Sequence, residues 1–368
     1  MYITYVKHIE KINYKQMTFE DLRKRNKVES EHFSYNRFVT TIRPTSTYHA
    51  PKSYNPKLLE DTVEILKTCV KNIDTTNIDK YYSTFFIPKK TGGLRTISAP
   101  NDELKSVLQI IQTTFEKVLK LKPHNCAHAY VSGRNCLTDL KQHQQHKSRW
   151  FLKLDIKNFF PSCTKEYVLE TLKDIYPLCF IKLEDLETIL EVCFKDGALP
   201  QGAPTSPLLS NLVMIPVDYN IDFFCKRAKL AYTRYADDIL ISSKYKAQCP
   251  KEVIKFINSM FEKTPFKLKK EKTRYGSSSG RNWNLGLMLN KDNNITIGAV
   301  KKKYYKAMLY NLFTTHETWT KEDAYKLNGI TSYYKSIEPK YIKDLIEKFE
   351  TKYSLNYKNI MKTILKRW

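Results

Sequence analysis

Residues 233–242 read TRYADDILIS, with two adjoining carboxylates, Asp237 and Asp238, set between residues that favour strands. Neighbouring acids repel each other and strand interiors disfavour Asp, so the pair calls for a compensating positive charge. A divalent cation supplies one: Mg²⁺ takes hard oxygen ligands and is commonly held by one or two carboxylates together with substrate phosphates. A third carboxylate, Asp155, lies at the end of the apolar run in FLKLDIKNFFPS, residues 151–162. Such carboxylates around two ions about 4 Å apart would activate an attacking hydroxyl and stabilise the departing oxygen of a phosphoryl transfer, which points to nucleotide addition. The string YADD alone is weak, because an Asp-Asp pair is more often a solvated turn. The order of the surrounding elements gives it meaning.

Those elements can be read from pattern. LAYTRY and ILISS, at 230–235 and 239–243, predict two strands around a tight connection, a β-hairpin with both acids at its tip. Asp155 joins them if its strand lies beside this hairpin in an antiparallel sheet flanked by helices. Pro161 is expected to stop that strand before a helix with Val168, Leu169, Leu172 and Ile175 on one face. In LPQGAPTSPLLSNLVMIPVDYNIDFF, residues 199–224, Gly202 and two prolines predict a loop, Ser206 an N-cap and Pro207 the first position of one long apolar helix. YYSTFFIPKKTGGLRTISAP, residues 81–100, reads as two strands joined by a mobile basic hairpin at Lys89, Lys90, Gly92 and Gly93. Upstream, Leu58, Leu59, Val63, Leu66 and Val70 recur at helical spacing within a polar N-terminal extension. Near the C-terminus, Lys301, Lys302, Lys303 and Lys306 interleave with Tyr304 and Tyr305 before further apparent helices. Such lysines can track phosphates while tyrosines rest on sugars or bases, although some of these rings must be core.

The bulk properties agree with a polyanionic partner. The 368 residues carry 62 Lys+Arg against 38 Asp+Glu, a formal net charge of +24, which makes nucleic acid the leading partner. No run of about 18 apolar residues and no signal-like opening is present, so neither a membrane span nor export is expected and the chain is read as cytoplasmic. Eight cysteines without a C-x-x-C pair suit reduced thiols better than a zinc or disulfide framework. The pairs His124/His128 and His143/His146 lack a second pair of ligands nearby and read as structural or RNA-contacting rather than zinc-binding.

In order along the chain, IPKKTGGLRTISAP, FLKLDIKNFFPS, LPQGAPTSPLLSN, YADD, LKKEKT and NWNLGLML resemble the motifs of bacterial reverse transcriptases related to group II introns and retrons. The resemblance covers roughly residues 80–340. It implies an α+β right-hand polymerase: a helical N-terminal extension at 1–75, fingers and an antiparallel palm at 76–298, and a helical thumb at 299–368. It further implies Asp155, Ile156, Asp237 and Asp238 as the metal set for two Mg²⁺, with Mn²⁺ as substitute, and Lys272 as the group that neutralises or protonates departing pyrophosphate. Arg95 with Lys89 or Lys90 would clamp the triphosphate, Gln201 and Gly202 would line the nucleotide and template pocket, and Phe160 would exclude a ribose 2′-hydroxyl. Lys301, Lys302, Lys303 and Tyr304 would contact nucleic acid from the thumb. The implied partners are a noncoding RNA template, deoxynucleotides and the RNA/DNA hybrid product, with homo-oligomerisation left open.

Departures bear on the subfamily. Retron enzymes typically show Val-Thr-Gly where this chain has Asn284, Leu285 and Gly286, and CLTDLKQHQQH gives no clean match to their Asn-Ala-x-x-His motif. The chain is therefore expected to stand outside the retron enzymes in the narrow sense. Group II intron proteins usually add segments beyond the thumb, and the sequence ends at Trp368 with little room for them. What remains is similar to the stand-alone reverse transcriptases implicated in defence against phage. A protein-primed or template-independent polymerase, and a non-catalytic maturase-like RNA-binding protein, stay open as alternatives. A nuclease could share the two-metal logic but gives no account of the finger and thumb elements.

Overall fold

The computed structural model of the protein describes residues 55–89, 92–246, 250–278 and 286–366. Lys90, Cys249, Asn284, Leu285 and residues 1–54 of the expected extension lie outside the described residues. Asn55 caps the first described helix, α1 (Pro56–Val70), by accepting the Leu58 N–H at 3.2 Å. Leu59, Val63, Leu66 and Val70 are buried as their spacing predicts. Leu58 is 49% exposed, because its place one position before Leu59 turns it about 100° off the apolar stripe.

Strands β1 (Tyr82–Pro88) and β2 (Leu94–Pro100) form an antiparallel ribbon in the register Tyr82↔Pro100 to Pro88↔Leu94. The Lys89 N–H donates to the Gly93 carbonyl at 2.9 Å, and Gly92 and Gly93 supply the positive φ that the connection needs. Then come α2 (Asp102–Thr113) and α3 (Cys136–Gln145). Strand β3 (Trp150–Asp155) ends at Asp155, before Pro161, and Pro161 instead lies inside a short helix, α4 (Phe159–Ser162). Helix α5 (Lys165–Leu172) buries Val168, Leu169 and Leu172, while Ile175 is buried just beyond its end. Helix α6 (Leu183–Glu191) packs against α1, where Lys67 sits 2.8 Å from Asp185.

The long helix expected after residue 205 is two helices, α7 (Ser206–Val213) and α8 (Ile215–Arg227), joined at Met214. Pro216 explains the joint, since its ring has no N–H and clashes with the carbonyl four residues back. Ser206 is not the N-cap: Thr205 holds that place with helical φ and ψ and no side-chain cap bond.

Strands β4 (Ala231–Tyr235) and β5 (Asp238–Ser243) follow, then α9 (Pro250–Phe261) and β6 (Arg274–Ser277). The four-stranded sheet has the order β4-β5-β3-β6, and every neighbouring pair is antiparallel. Leu152, Leu154, Ile239 and Ile241 face the larger core beneath α7 and α8. Phe151 and Leu240 point the other way, into a second core. Burial of both faces explains why these strands read as nearly continuous apolar runs.

The second core joins the hairpin β7 (Met288–Leu289) and β8 (Ile295–Thr296) to α10 (Ala299–Thr315), α11 (Lys321–Ile337), α12 (Pro339–Tyr353) and α13 (Tyr357–Lys366). No helix among the described residues is long and apolar enough to cross a membrane. The architecture is α+β: a hairpin-built finger, an antiparallel palm and a helical thumb.

Candidate active site

The corner of the palm is built by strand register. Asp155, the last residue of β3, lies directly across from Asp238, the first of β5, and Tyr235 pairs with Asp238 to close the β4-β5 turn on Ala236 and Asp237. Ala236 has φ +56, a left-handed conformation that a tight hairpin turn commonly requires. The Ile156 N–H donates to the Asp237 carbonyl at 2.9 Å, tying the turn to the end of β3, and the Lys269 N–H donates to the Asp155 carbonyl at 2.8 Å. Burial, reinforced by the charges of Asp238 and Asp155, pushes the Asp237 carboxyl above the usual carboxylate range. That is how three acids crowded together behave.

Two lysines answer this charge. Lys272 Nζ donates to Asp155 Oδ2 at 2.5 Å, and Lys153 Nζ to Asp238 Oδ2 at 2.7 Å. Burial works against the Lys272 ammonium, but its bond to Asp155 and the nearby Asp237 and Asp238 charges hold it above its ordinary value. Lys153 is a site residue that the sequence reading missed; its signal was a lysine in an apolar strand, two residues before Asp155 and so on the same face. Among the described residues, no three His, Cys, Asp or Glu side chains form a ready-made metal cage. The carboxylates of Asp155, Asp237 and Asp238 nonetheless form an all-oxygen set, which fits Mg²⁺ because that ion draws the rest of its shell from substrate oxygens and water.

The other expected site residues divide. Lys89 and Arg95 are exposed on the finger ribbon. The Ser98 N–H of that ribbon donates to the Gln201 carbonyl at 2.7 Å, which fixes the ribbon to the loop before α7. A Cβ on Gly202, at φ +126, would stand 2.6 Å from the Ser98 carbonyl oxygen, so only glycine permits this approach. Phe160 is half-buried against Phe159, with ring centroids 5.7 Å apart.

The thumb stripe splits. Lys301 donates to the Gly286 carbonyl at 2.8 Å and Lys302 to Glu338 at 2.6 Å, while Glu338 also accepts the Ile297 N–H at 2.9 Å. Lys301 thus ties α10 to the chain just before β7, and Lys302 holds the Glu338 carboxylate that accepts from the chain just after β8. Lys303 and Tyr304 are exposed, whereas Tyr305 is fully buried.

The histidine pairs are internal struts. His143 meets Ser242 and Thr233 hydroxyls at 2.5 and 2.8 Å, His128 meets Thr138 at 3.0 Å, and His146 meets Ser148 at 3.0 Å. His124 lies 3.8 Å from Asp222.

A buried network also missed from sequence supports the turn from below. Arg234 Nε and Nη2 donate to Asp218 at 2.9 and 2.7 Å, and Arg234 Nη1 donates to Asn211 at 3.0 Å and to the Ala236 carbonyl at 3.1 Å. Its one signal was an arginine inside a strand otherwise apolar on that side.

A carboxylate at the end of a central strand, two more on the adjoining hairpin turn, and finger and thumb elements on either side define the palm of a nucleic-acid polymerase. The family model described as reverse transcriptase (RNA-dependent DNA polymerase) matches residues 87–317. The Retron Ec83 reverse transcriptase of Escherichia coli is 31% identical over 281 residues, spanning 73% of this chain and 87% of its own length. The Retron Ec73 reverse transcriptase of Escherichia coli is 32% identical over 286 residues, spanning 74% of this chain and 89% of its own. Telomerase from Candida albicans, solved with a fragment of telomeric RNA, aligns at 12% identity and a TM-score of 0.44 over 77% of this chain and 63% of that one. The chain belongs to the reverse transcriptases of retron type, and its activity is RNA-directed DNA polymerisation. The expectation drawn from Asn284–Gly286 and the missing Asn-Ala-x-x-His motif, that it stands outside the retron enzymes, is corrected by these relatives.

Proposed function

We propose that the chain copies a noncoding RNA into DNA by two-metal-ion nucleotidyl transfer and serves in defence against phage. The observation that carries the catalytic part is the cross-strand opposition of Asp155 and Asp238, with the Asp237 carbonyl bonded to the Ile156 N–H in the same corner. Asp155, Asp237 and Asp238, with the backbone carbonyl of Ile156, would hold the ions. Bound Mg²⁺, with Mn²⁺ as substitute, supplies Lewis acidity for such a transfer. Lys272 neutralises or protonates pyrophosphate as it departs, a role its pairing with Asp155 supports. Arg95 and Lys89, with Lys90, grip the triphosphate of the incoming deoxynucleotide; a guanidinium fork suits phosphate oxygens. Gln201 and Gly202 line the nucleotide and template pocket, and Phe160 rejects ribose by collision with its 2′-hydroxyl. The thumb meets the RNA/DNA hybrid through Lys303 and Tyr304, with Lys301 and Lys302 behind them, and reads backbone rather than base sequence. The defence role rests on the resemblance to stand-alone defence enzymes. Sequencing the nucleic acid that copurifies with the protein tests the template: one noncoding RNA joined by its DNA complement is expected. Unrelated cellular RNAs without complementary DNA would overturn it.

A further inference from the structure

Between α2 and α3, the chain passes beside the candidate catalytic corner in the segment that carries the His124/His128 pair. The Arg234 N–H donates to the Cys126 carbonyl and the His128 N–H to the Arg234 carbonyl, both at 2.8 Å. Arg134 Nη1 donates to the Ala127 carbonyl at 2.7 Å, and Asn211 Nδ2, fully buried, donates to the Ala129 carbonyl at 2.9 Å. Residues 126–129 are thus laced to β4 and α7 and are buried. Tyr130 then emerges at φ +60 with its side chain 50% exposed. A bulky aromatic is a genuine outlier in the left-handed region, and such strain persists where the surroundings hold it.

The ring is not loose. Its centroid lies 6.1 Å from that of Phe160, tilted at 55°. Phe160 also meets Phe159, and Phe159 in turn packs on Phe266 at 5.7 Å and under the Arg234 guanidinium 5.8 Å from its ring centroid. Tyr130 also stands within electrostatic reach of both lobes. Burial first, then the charge of Asp237, raises its hydroxyl above the ordinary value, while Arg95 on the finger pulls it back. Asp237 and Arg95 are the groups assigned above to the metal ions and to the triphosphate of the incoming nucleotide.

We propose that Tyr130 is a second wall of the nucleotide sugar pocket, a positioning residue that braces Phe160 and so sets the discrimination between deoxyribose and ribose. The inference rests on the steric role given to Phe160. Phe159 is buried in the larger core, so Phe160 rests on that core through one ring and meets a second ring that comes from this strained segment. Removal of the Tyr130 ring lets Phe160 swing toward the space it leaves and opens room for a 2′-hydroxyl. The hydroxyl of Tyr130 is dispensable to this action; the ring is not.

The test is the ratio of catalytic efficiencies for matched ribo- and deoxyribonucleotides in Tyr130→Ala, Tyr130→Leu, Tyr130→Phe, Phe160→Ala and the Tyr130→Ala/Phe160→Ala pair. The ratio is expected to rise about ten-fold in Tyr130→Ala and in Tyr130→Leu, at the low end of what a steric wall achieves. Tyr130→Phe should keep it within about two-fold, and Tyr130→Ala should add nothing once Phe160 is already Ala. General damage to folding lowers both efficiencies and leaves the ratio alone. A ratio unmoved in Tyr130→Ala and Tyr130→Leu, but raised in Phe160→Ala, overturns the bracing role and leaves the Phe160 reading standing. A ratio unmoved in Phe160→Ala removes that reading and this one with it. An equal rise on adding Tyr130→Ala to Phe160→Ala overturns action through Phe160.

Discussion

Replacement of Arg234 by Met should be among the most damaging single changes in the palm. Arg234 and Asp218 are both 0% exposed, so the pair has no water to fall back on. Asp218 accepts from Arg234 Nε at 2.9 Å and Nη2 at 2.7 Å, and from the Tyr232 hydroxyl at 2.7 Å. Met fills much of the same volume but leaves the Asp218 charge with only the Tyr232 hydroxyl and the Cys126 thiol, and it strips a donor from Asn211 and from the Ala236 carbonyl. Removing one partner of a buried pair costs about 3–5 kcal/mol, because the charge left behind is uncompensated. An orphaned buried acceptor adds about 1–3 kcal/mol. About 4 kcal/mol is therefore a conservative expectation, out of a total stability on the order of 5–15 kcal/mol. Urea unfolding of the intact chain measures the loss. The double variant Arg234→Met/Asp218→Leu removes the stranded charge and should regain about half of it. A loss below about 1 kcal/mol in the single variant, or a double variant no more stable than the single, would refute the assignment of the pair as a buried support of the catalytic turn.

Burial holds His143 down to about 3 and His128 to about 4. As pH falls through about 6.5 the unfolded chain takes up protons that these native rings refuse, so stability is kept above that pH and lost below it, at about 1.4 kcal/mol per unit for each ring. Unfolding free energies from urea titration at pH 7 and pH 5 should differ by about 2 kcal/mol for each of these rings, and His143→Gln should remove one ring's share of that difference. Gly202→Ala should cost activity well beyond any loss of stability, since the added methyl meets the Ser98 carbonyl that fastens the finger ribbon to the pocket loop; primer extension against unfolding midpoint separates the two effects. Lys303→Ala with Lys306→Ala should lower the slope of log affinity for RNA against log salt by about one per lysine, while the same pair of changes at Lys301 and Lys302 should instead remove the bonds to Gly286 and Glu338, visible as a lower thermal midpoint.

Much of this site was legible in the sequence because its parts are local. A strand that ends in Asp, a hairpin that carries two more, and a glycine loop before a helix are each set by neighbours in the chain, and their order alone locates the palm. What escaped was set by partners far away. Arg234 and Asp218 are sixteen residues apart on different elements, and nothing local tells a buried arginine from an exposed one on the same hairpin. Lys301 and Lys302 read as solvent-facing cations because their partners lie far off in the chain, the Gly286 carbonyl 15 residues earlier and Glu338 36 residues later. Tyr130 sits in an irregular segment with neither helical nor strand periodicity, so pattern had no hold on it. The single helix drawn through Met214 shows the same limit from within: apolar spacing ran on while Pro216 interrupted the backbone.

The most direct test of the central claim, that Asp155, Asp237 and Asp238 together carry nucleotide transfer, is RNA-templated primer extension by Asp237→Asn. Asn keeps the shape of the side chain and removes a negative oxygen from the corner, so the rate of deoxynucleotide incorporation should fall by about a thousand-fold or more. RNA affinity in a filter-binding assay at the same salt should stay within about two-fold, because the turn contributes no basic contact to the backbone. Undiminished incorporation by Asp237→Asn, with RNA binding intact, would contradict the account.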